Sequence, residues 1–219
     1  MKVDLRVYAL VDPERAGGRS LADLAGLLAA GGATLVQLRD KLRDTRPMIE
    51  DVRAIAAKLA PHKIPLLIND RVDVALASGA QGVHVGWDDM DPRDARRLLG
   101  PDAIIGLSIK TTAQAERAPL DALDYVAIGG VFVTLSKNNP DPPIGLAGLK
   151  TIAGAIRARA TMPVGAIAGI DAGNAADVIA AGADGVAVIS ALSLAPDPQE
   201  ATRALRQTVD RALAHRGVR

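Results

Sequence analysis

Short aliphatic runs alternate with stretches of helical spacing from one end of the chain to the other. The runs are bounded by Gly, Pro, Asn and Asp, as buried strands are, while the stretches between them repeat apolar residues at three- and four-residue steps. Strands are predicted at residues 5–11, 34–38, 65–68, 82–85, 103–107, 125–128, 163–167 and 185–189. Helices are predicted at 20–30, 46–59, 71–77, 92–99, 113–117, 147–159, 175–181 and 199–215, the first with Ser20 as a candidate N-cap. The phrases Gly32-Ala33, Gly79-Ala80 and Gly182-Ala183-Asp184-Gly185 read as helix ends turning into the next strand. Strands separated by helices imply right-handed crossovers and a parallel sheet. Eight such units in 219 residues favour a closed α/β barrel, the (β/α)8 or TIM barrel, over an open doubly wound sheet. One domain is expected over residues 1–219, with no linker or low-complexity segment. The long irregular stretch 133–147, containing Asn138-Asn139-Pro140-Asp141-Pro142-Pro143, follows the sixth strand and reads as a lid over the active-site face.

Composition sharpens this picture. Hydrophobic residues make up 49% but aromatics only 2%, so the core is aliphatic, as in parallel strands buried on both faces. Lys plus Arg is 26 against 25 for Asp plus Glu, which gives no global attraction to nucleic acid or anionic membrane. Cysteine is absent, which excludes disulfides, thiolate metal sites and cysteine nucleophiles. The stretch Met1-Lys2-Val3-Asp4-Leu5-Arg6 lacks the apolar core of a signal peptide, and no apolar run approaches the ~20 residues of a membrane span. A cytoplasmic protein is expected, with neither a nucleic-acid nor a membrane partner. Monomer and homo-oligomer both stay open.

Candidate chemistry gathers where strands end. Asn69-Asp70 follows the third strand, and Gly86-Trp87-Asp88-Asp89 follows the fourth. Carboxylates from adjacent strands would share one pocket, and two hard oxygen donors point to Mg²⁺ and a phosphorylated substrate. Each also has a structural reading, Asn69 or Asp70 as the cap of the next helix, and Asp88-Asp89 as a turn or a first-turn acid. In Gln37-Leu38-Arg39-Asp40-Lys41, alternation puts Gln37, Arg39 and Lys41 on one side, where two cations would clamp a diphosphate, or else form a solvated basic turn. Ser108 would touch substrate or cap the next helix. Thr134-Leu135-Ser136-Lys137 offers hydroxyls and an ammonium for a second anion, or a polar loop. Gly169-Ile170 and Ile189-Ser190 stand where barrels bind phosphate through backbone N–H groups, or make tight turns. His84 falls inside a strand and reads as packed, while His62 and His215 read as surface residues. No Ser-His-Asp arrangement or zinc spacing occurs.

These pieces, in this order from Tyr8-Ala9-Leu10-Val11 to Val188-Ile189-Ser190-Ala191, resemble the thiamine-phosphate synthase family. The resemblance implies a (β/α)8 barrel transferase of thiamine biosynthesis. It would join 4-amino-2-methyl-5-hydroxymethylpyrimidine diphosphate to hydroxyethyl-methylthiazole phosphate, releasing pyrophosphate. It implies that Gln37, Leu38, Arg39, Asp40 and Lys41, with Asn69 and Lys137, hold the pyrimidine diphosphate, and that Asp70 and Asp89 ligate Mg²⁺. Ser108 would sit beside the pyrimidine and its leaving group. Thr134, Leu135, Ser136, Gly169, Ile189 and Ser190 would hold the thiazole phosphate. Arg39, Lys41, Ser108 and Lys137 are the implied catalytic set, acting on charge in a reaction thought to pass through a pyrimidine cation. Departures from the family pattern are Trp87 for a usual Gln, Gly130 and Val133 for prolines, and Ala168 for a glycine. Two alternatives share the fold. A thiazole tautomerase would want an acid–base group, often a histidine, which Ser108-Ile109-Lys110 lacks. A non-catalytic phosphate-ligand-binding regulator would have no need of the Asp70 and Asp89 pair.

Overall fold

The structure, a computed structural model, describes residues 3–134, 136 and 141–217. Eight parallel strands close on themselves in chain order, β8 returning to β1. They are β1 (Val7–Val11), β2 (Leu35–Leu38), β3 (Leu66–Asn69), β4 (Gly82–Val85), β5 (Ile104–Ile109), β6 (Tyr125–Gly129), β7 (Val164–Ile167) and β8 (Gly185–Val188). The helices are α1 (Leu21–Ala30), α2 (Thr45–Leu59), α3 (Val72–Ser78), α4 (Pro92–Leu99), α5 (Thr112–Arg117), α6 (Gly145–Arg157), α7 (Ala175–Ala180), a short α8 (Ser190–Ser193) and α9 (Pro198–His215). The TIM barrel expected from the alternation is therefore present. Most boundaries shift by a residue or two, and three differences stand out. β1 starts at Val7, after a local turn in which the Asp4 carboxylate accepts from the Arg6 N–H at 3.1 Å. β5 runs on to Ile109, which puts Ser108 inside the strand. The extra turn α8 intervenes before the last helix.

Strand alternation divides the apolar residues into two layers. Val7, Ala9, Val11, Val36 and Leu38 pack outward against the helices. Tyr8, Leu10, Leu35, Leu67, Tyr125, Ala127 and Ala187 fill the barrel interior. Each fully buried aliphatic side chain contributes roughly 1.5–3 kcal/mol, so the two layers together dominate stability. The helices start where capping chemistry allows. Ser20 Oγ accepts from the Asp23 N–H at 3.1 Å, and Asp91, before Pro92 at the first turn, accepts from the Arg93 N–H at 2.8 Å. Gly79 ends α3 in a left-handed conformation at φ +76°.

The amino-terminal rim shows a repeating device. The residue just before each even strand accepts the N–H at the start of the preceding odd strand. Thr34 Oγ1 accepts from Val7, Gln81 Oε1 from Leu66, Asp124 Oδ2 from Ile105 and Asp184 Oδ2 from Val164, at 2.8–3.1 Å. Each cap satisfies a donor at the foot of the ladder, and leaving such a group buried and unpaired costs about 1–3 kcal/mol. These caps lie at the end of the barrel opposite the carboxyl ends of the strands. Among the described residues no helix is long and apolar enough to cross a membrane.

Candidate active site at the carboxyl ends of the strands

The carboxyl-terminal mouth opens into a cavity of about 1050 Å³. Ligand pockets commonly measure about 300–1,000 Å³, so this one has room for two small phosphorylated molecules. All eight strands or the loops after them contribute to its wall.

On β2, alternation separates the predicted residues. Gln37, Arg39 and Lys41 line the cavity, whereas Leu38 packs outward with the helices. Asp40 also turns away: its Oδ1 accepts from the Leu42 and Arg43 N–H groups and closes the loop. The side chains of Leu38 and Asp40 therefore do not join the others. Arg39 is not part of a solvated turn, for its Nη1 donates to the buried Asp12; Lys41 is exposed at the rim, where its Nζ donates to Asp70.

Neither Asn69 nor Asp70 caps α3, which begins after Arg71 with no side-chain cap. Asn69 Nδ2 instead donates to Asp70 Oδ2 at 2.7 Å. Asp70 is held at φ +60° by its N–H bond to the His84 carbonyl at 2.8 Å. A non-glycine residue there is strained, and such strain clusters at functional sites. Asp89 closes a turn ahead of α4, in keeping with its structural reading: its Oδ2 accepts from the Gly86 N–H at 2.8 Å, and Asp91 caps the helix. A side chain on Gly86 would strike that oxygen, 2.8 Å from an ideal Cβ. The two carboxylates meet: burial pushes the Asp70 carboxyl up, the Lys41 ammonium opposes this, and Asp89 pushes it up further.

Ser108 is likewise not a cap, because Thr111 caps α5. Its Oγ lies 2.9 Å from His84 Nε2, and His84 Nδ1 lies 2.8 Å from the Tyr125 hydroxyl. Tyr125 meets the Tyr8 hydroxyl at 2.9 Å, and Gln37 Nε2 donates to Tyr8. His84 is buried as expected and also lines the cavity. Burial pushes both phenols well above their ordinary range. Sequence reasoning passed over Tyr8, Tyr125 and Asp12. For Asp12 a signal existed, an acid directly after an apolar strand, as at Asn69-Asp70. For the tyrosines none existed beyond their place in strands.

On the far wall, Thr134, Ser136, Gly169, Ile189 and Ser190 all line the cavity. Ser136 Oγ and Ser190 Oγ are 2.7 Å apart, joining the segment after β6 to the end of β8. Gly169, at φ +66°, has no room for a side chain, since a Cβ would lie 2.5 Å from the Val133 carbonyl oxygen. Ala168 beside it sits at φ +89°, where a glycine would be unstrained. Trp87 is half-buried, packs on the outer core, lines the cavity and lies under the Arg117 guanidinium at 5.6 Å. Lys110 Nζ donates to Asp141 at 2.9 Å, tying the end of β5 to the segment before α6. Leu135 and Lys137, both expected at the site, lie outside the described residues.

A closed barrel with paired carboxylates, cations and hydroxyls at its carboxyl mouth is the architecture of a phosphate-handling barrel enzyme. Residues 7–192 match the family described as thiamine monophosphate synthase, and the chain belongs to that family. It is 54% identical over 216 residues to a thiamine-phosphate synthase of Agrobacterium fabrum, covering 98% of each chain. It is 48% identical over 206 residues to a thiamine-phosphate synthase of Albidiferax ferrireducens, covering 94% of this chain and 92% of that one. Among solved structures, a thiamine phosphate pyrophosphorylase from Pyrococcus furiosus superposes with a TM-score of 0.84 at 34% identity, covering 96% of this chain and 98% of that one.

Proposed function

We propose that the chain is a thiamine-phosphate synthase, joining the aminopyrimidine diphosphate to the thiazole phosphate with release of pyrophosphate. The observation that carries this reading is one shared cavity at the barrel mouth. It brings Arg39, Lys41, Asn69, Asp70, Asp89 and Ser108 together with Thr134, Ser136, Gly169 and Ser190, inside the span that matches the family.

Arg39 and Lys41 would bind the diphosphate and stabilise the charge that grows on it as the carbon–oxygen bond breaks. Lys137 is assigned to the same task on its motif. Ser108 would hydrogen-bond substrate beside the reacting carbon. The walls exclude water while the thiazole nitrogen attacks, so a positioned second substrate replaces a protein nucleophile. Thr134, Ser136 and Ser190 would hold the thiazole phosphate. Asp70 and Asp89 fit Mg²⁺, for they supply only hard oxygen atoms, and burial together with Asp89 disfavours an ionised Asp70. Among the described residues no group of three or more His, Cys, Asp or Glu is arranged to hold a metal. A Mg²⁺ ion here would therefore take its remaining oxygens from water and substrate, as Mg²⁺ commonly does. Bound there, it would neutralise charge on the departing diphosphate. The reading takes residues 1–219 as one domain and the setting as cytoplasmic.

The test is to mix purified protein with both substrates and Mg²⁺ and detect product as fluorescent thiochrome. Product that disappears with EDTA supports the reading. No product from folded protein overturns it.

A further inference from the structure

Three successive carbonyls at the end of β7 are each held by a donor. The Ile167 and Ala168 carbonyls accept from the Val131 and Phe132 N–H groups of the segment after β6, at 3.0 and 3.1 Å. The Gly169 carbonyl accepts from a side chain instead, Asn174 Nδ2 at 2.9 Å. The same amide accepts on its other side, where Asn174 Oδ1 takes the Asp171 N–H at 3.0 Å. Asp171 Oδ1 in turn accepts from the Gly173 and Asn174 N–H groups, at 2.8 and 3.3 Å. The partners fix how this amide points. A carbonyl only accepts and a backbone N–H only donates, so exchanging the amide nitrogen and oxygen would set like against like at both ends. Both contacts have ordinary hydrogen-bond lengths. Asn174 stands at the N-cap position of α7, where an Asn commonly accepts from the helix's own N–H groups. Here its side chain makes no such bond. The amide serves the loop and not the helix.

We infer that Asn174 is a positioning residue: by holding the Gly169 carbonyl and the Asp171 N–H together, it sets the shape of the cavity wall that receives the thiazole phosphate. The substrate named here rests on the proposed function; the hold on the loop does not. The loop has something to hold. Ala168 and Gly169 follow one another at φ +89° and +66°, and backbone in that region persists where its surroundings over-determine it. Gly169 lines the cavity together with Ser136 and Ser190, whose hydroxyls meet. Asn174 is half-buried and lies outside the cavity lining, so it acts on the wall from behind and touches no substrate. An amide is the one side chain of this length that can both donate to Gly169 and accept from Asp171.

The experiment compares the protein with its Asn174→Ala variant, first by nitrogen-15 relaxation without substrate and then by initial-rate kinetics. In the unaltered protein the Gly169 and Ile170 amides should be as rigid as strand backbone, with order parameters of about 0.85. In Asn174→Ala they should fall toward about 0.6, while the Arg39 and Asn69 amides on the opposite wall keep their values. KM for the thiazole phosphate should rise roughly three- to tenfold, the worth of one neutral hydrogen bond. KM for the diphosphate substrate should stay within about twofold. A rigid Gly169 turn in folded Asn174→Ala overturns the inference. So does a KM for the thiazole phosphate that stays put, or an equal rise for both substrates, since the residue then acts on the fold at large. Should Asn174→Ala not fold, Asn174→Asp keeps the size and the acceptor but has no proton for the Gly169 carbonyl. Loosening of Gly169 in that variant supports the inference, and a turn that stays rigid overturns it. Because the relaxation data are taken without substrate, failure to form thiamine phosphate overturns the proposed function and leaves the result on the loop standing.

Discussion

Asp12, at the end of β1, holds Arg39, at the end of β2, through an ion pair between Asp12 Oδ2 and Arg39 Nη1. The carboxylate side chain is 3% exposed and the guanidinium 14%. Asp12 also accepts the Glu14 N–H at 2.9 Å, so its position is fixed by the backbone as well. Asp12→Ala should leave a largely buried cation without a partner and cost about 3 kcal/mol of stability. It should also raise KM for the diphosphate substrate, since Arg39 is no longer held in place. Denaturant unfolding and initial-rate kinetics check both effects. Asp12→Asn keeps the backbone contact and should recover part of the stability but not the affinity.

Burial pushes the Asp70 carboxyl up, and Asp89 beside it pushes it further. Asp70→Ala should lower turnover by about 100-fold or more, as expected when a charge that orders the reacting groups is lost. Added Mg²⁺ should not restore it. Near-normal turnover would sink the metal assignment. Lys137→Ala should also slow turnover while leaving the circular-dichroism spectrum unchanged.

Ala168 occupies φ +89°, a conformation that costs an L-residue about 1–2 kcal/mol and glycine almost nothing. Ala168→Gly gives back part of that gain through the freer unfolded chain. A net stabilisation of roughly 0.5–1 kcal/mol is expected. A midpoint shift in thermal or urea unfolding reads it, and a fall in stability would show that the local backbone carries no strain.

Gly106→Ala should be severe. The new methyl would meet the Tyr125 ring at 2.0 Å, and neither the strand nor the ring has space to move. Overpacking of this kind costs about 3 kcal/mol. The unfolding midpoint should drop accordingly, and Tyr125→Phe, which keeps the ring, should not relieve it.

Both tyrosines of the chain belong to the buried chain of hydrogen bonds, and burial raises both phenol pKa values. The folded protein thus keeps phenol protons that the unfolded chain gives up near pH 10. Where the native state binds more protons than the unfolded one, stability falls as pH rises. Stability should therefore decline above about pH 10, and tyrosinate absorbance should appear only together with loss of the circular-dichroism signal. Tyrosinate forming in intact protein would contradict the burial.

Alternation and capping made the barrel legible. Period-two runs and Gly-Ala helix ends are local patterns, so eight strand–helix units could be read without knowing what any of them touches. The same local rule placed Gln37, Arg39 and Lys41 on one side of a strand, and it also sends Leu38 to the other. Strand ends were less clear, because where a ladder stops depends on the neighbouring strand; this is why β1 loses Leu5 and Arg6 and β5 gains Ser108.

What each polar residue does was decided only in three dimensions. Asp70 and Ser108 both had plausible lives as helix caps, and Arg71 and Thr111 hold those positions instead. Asp12 meets Arg39 across 27 residues, His84 meets Ser108 across 24 and Tyr125 across 41. Strand register sets those meetings, and register arises from closing the barrel as a whole. The sequence by itself determined the alternating strands and helices and the kinds of chemical group at their ends. Closure of the sheet decided which groups share a proton or a charge, because hydrogen bonds and ion pairs act over a few ångströms and only the closed barrel brings distant strands so near.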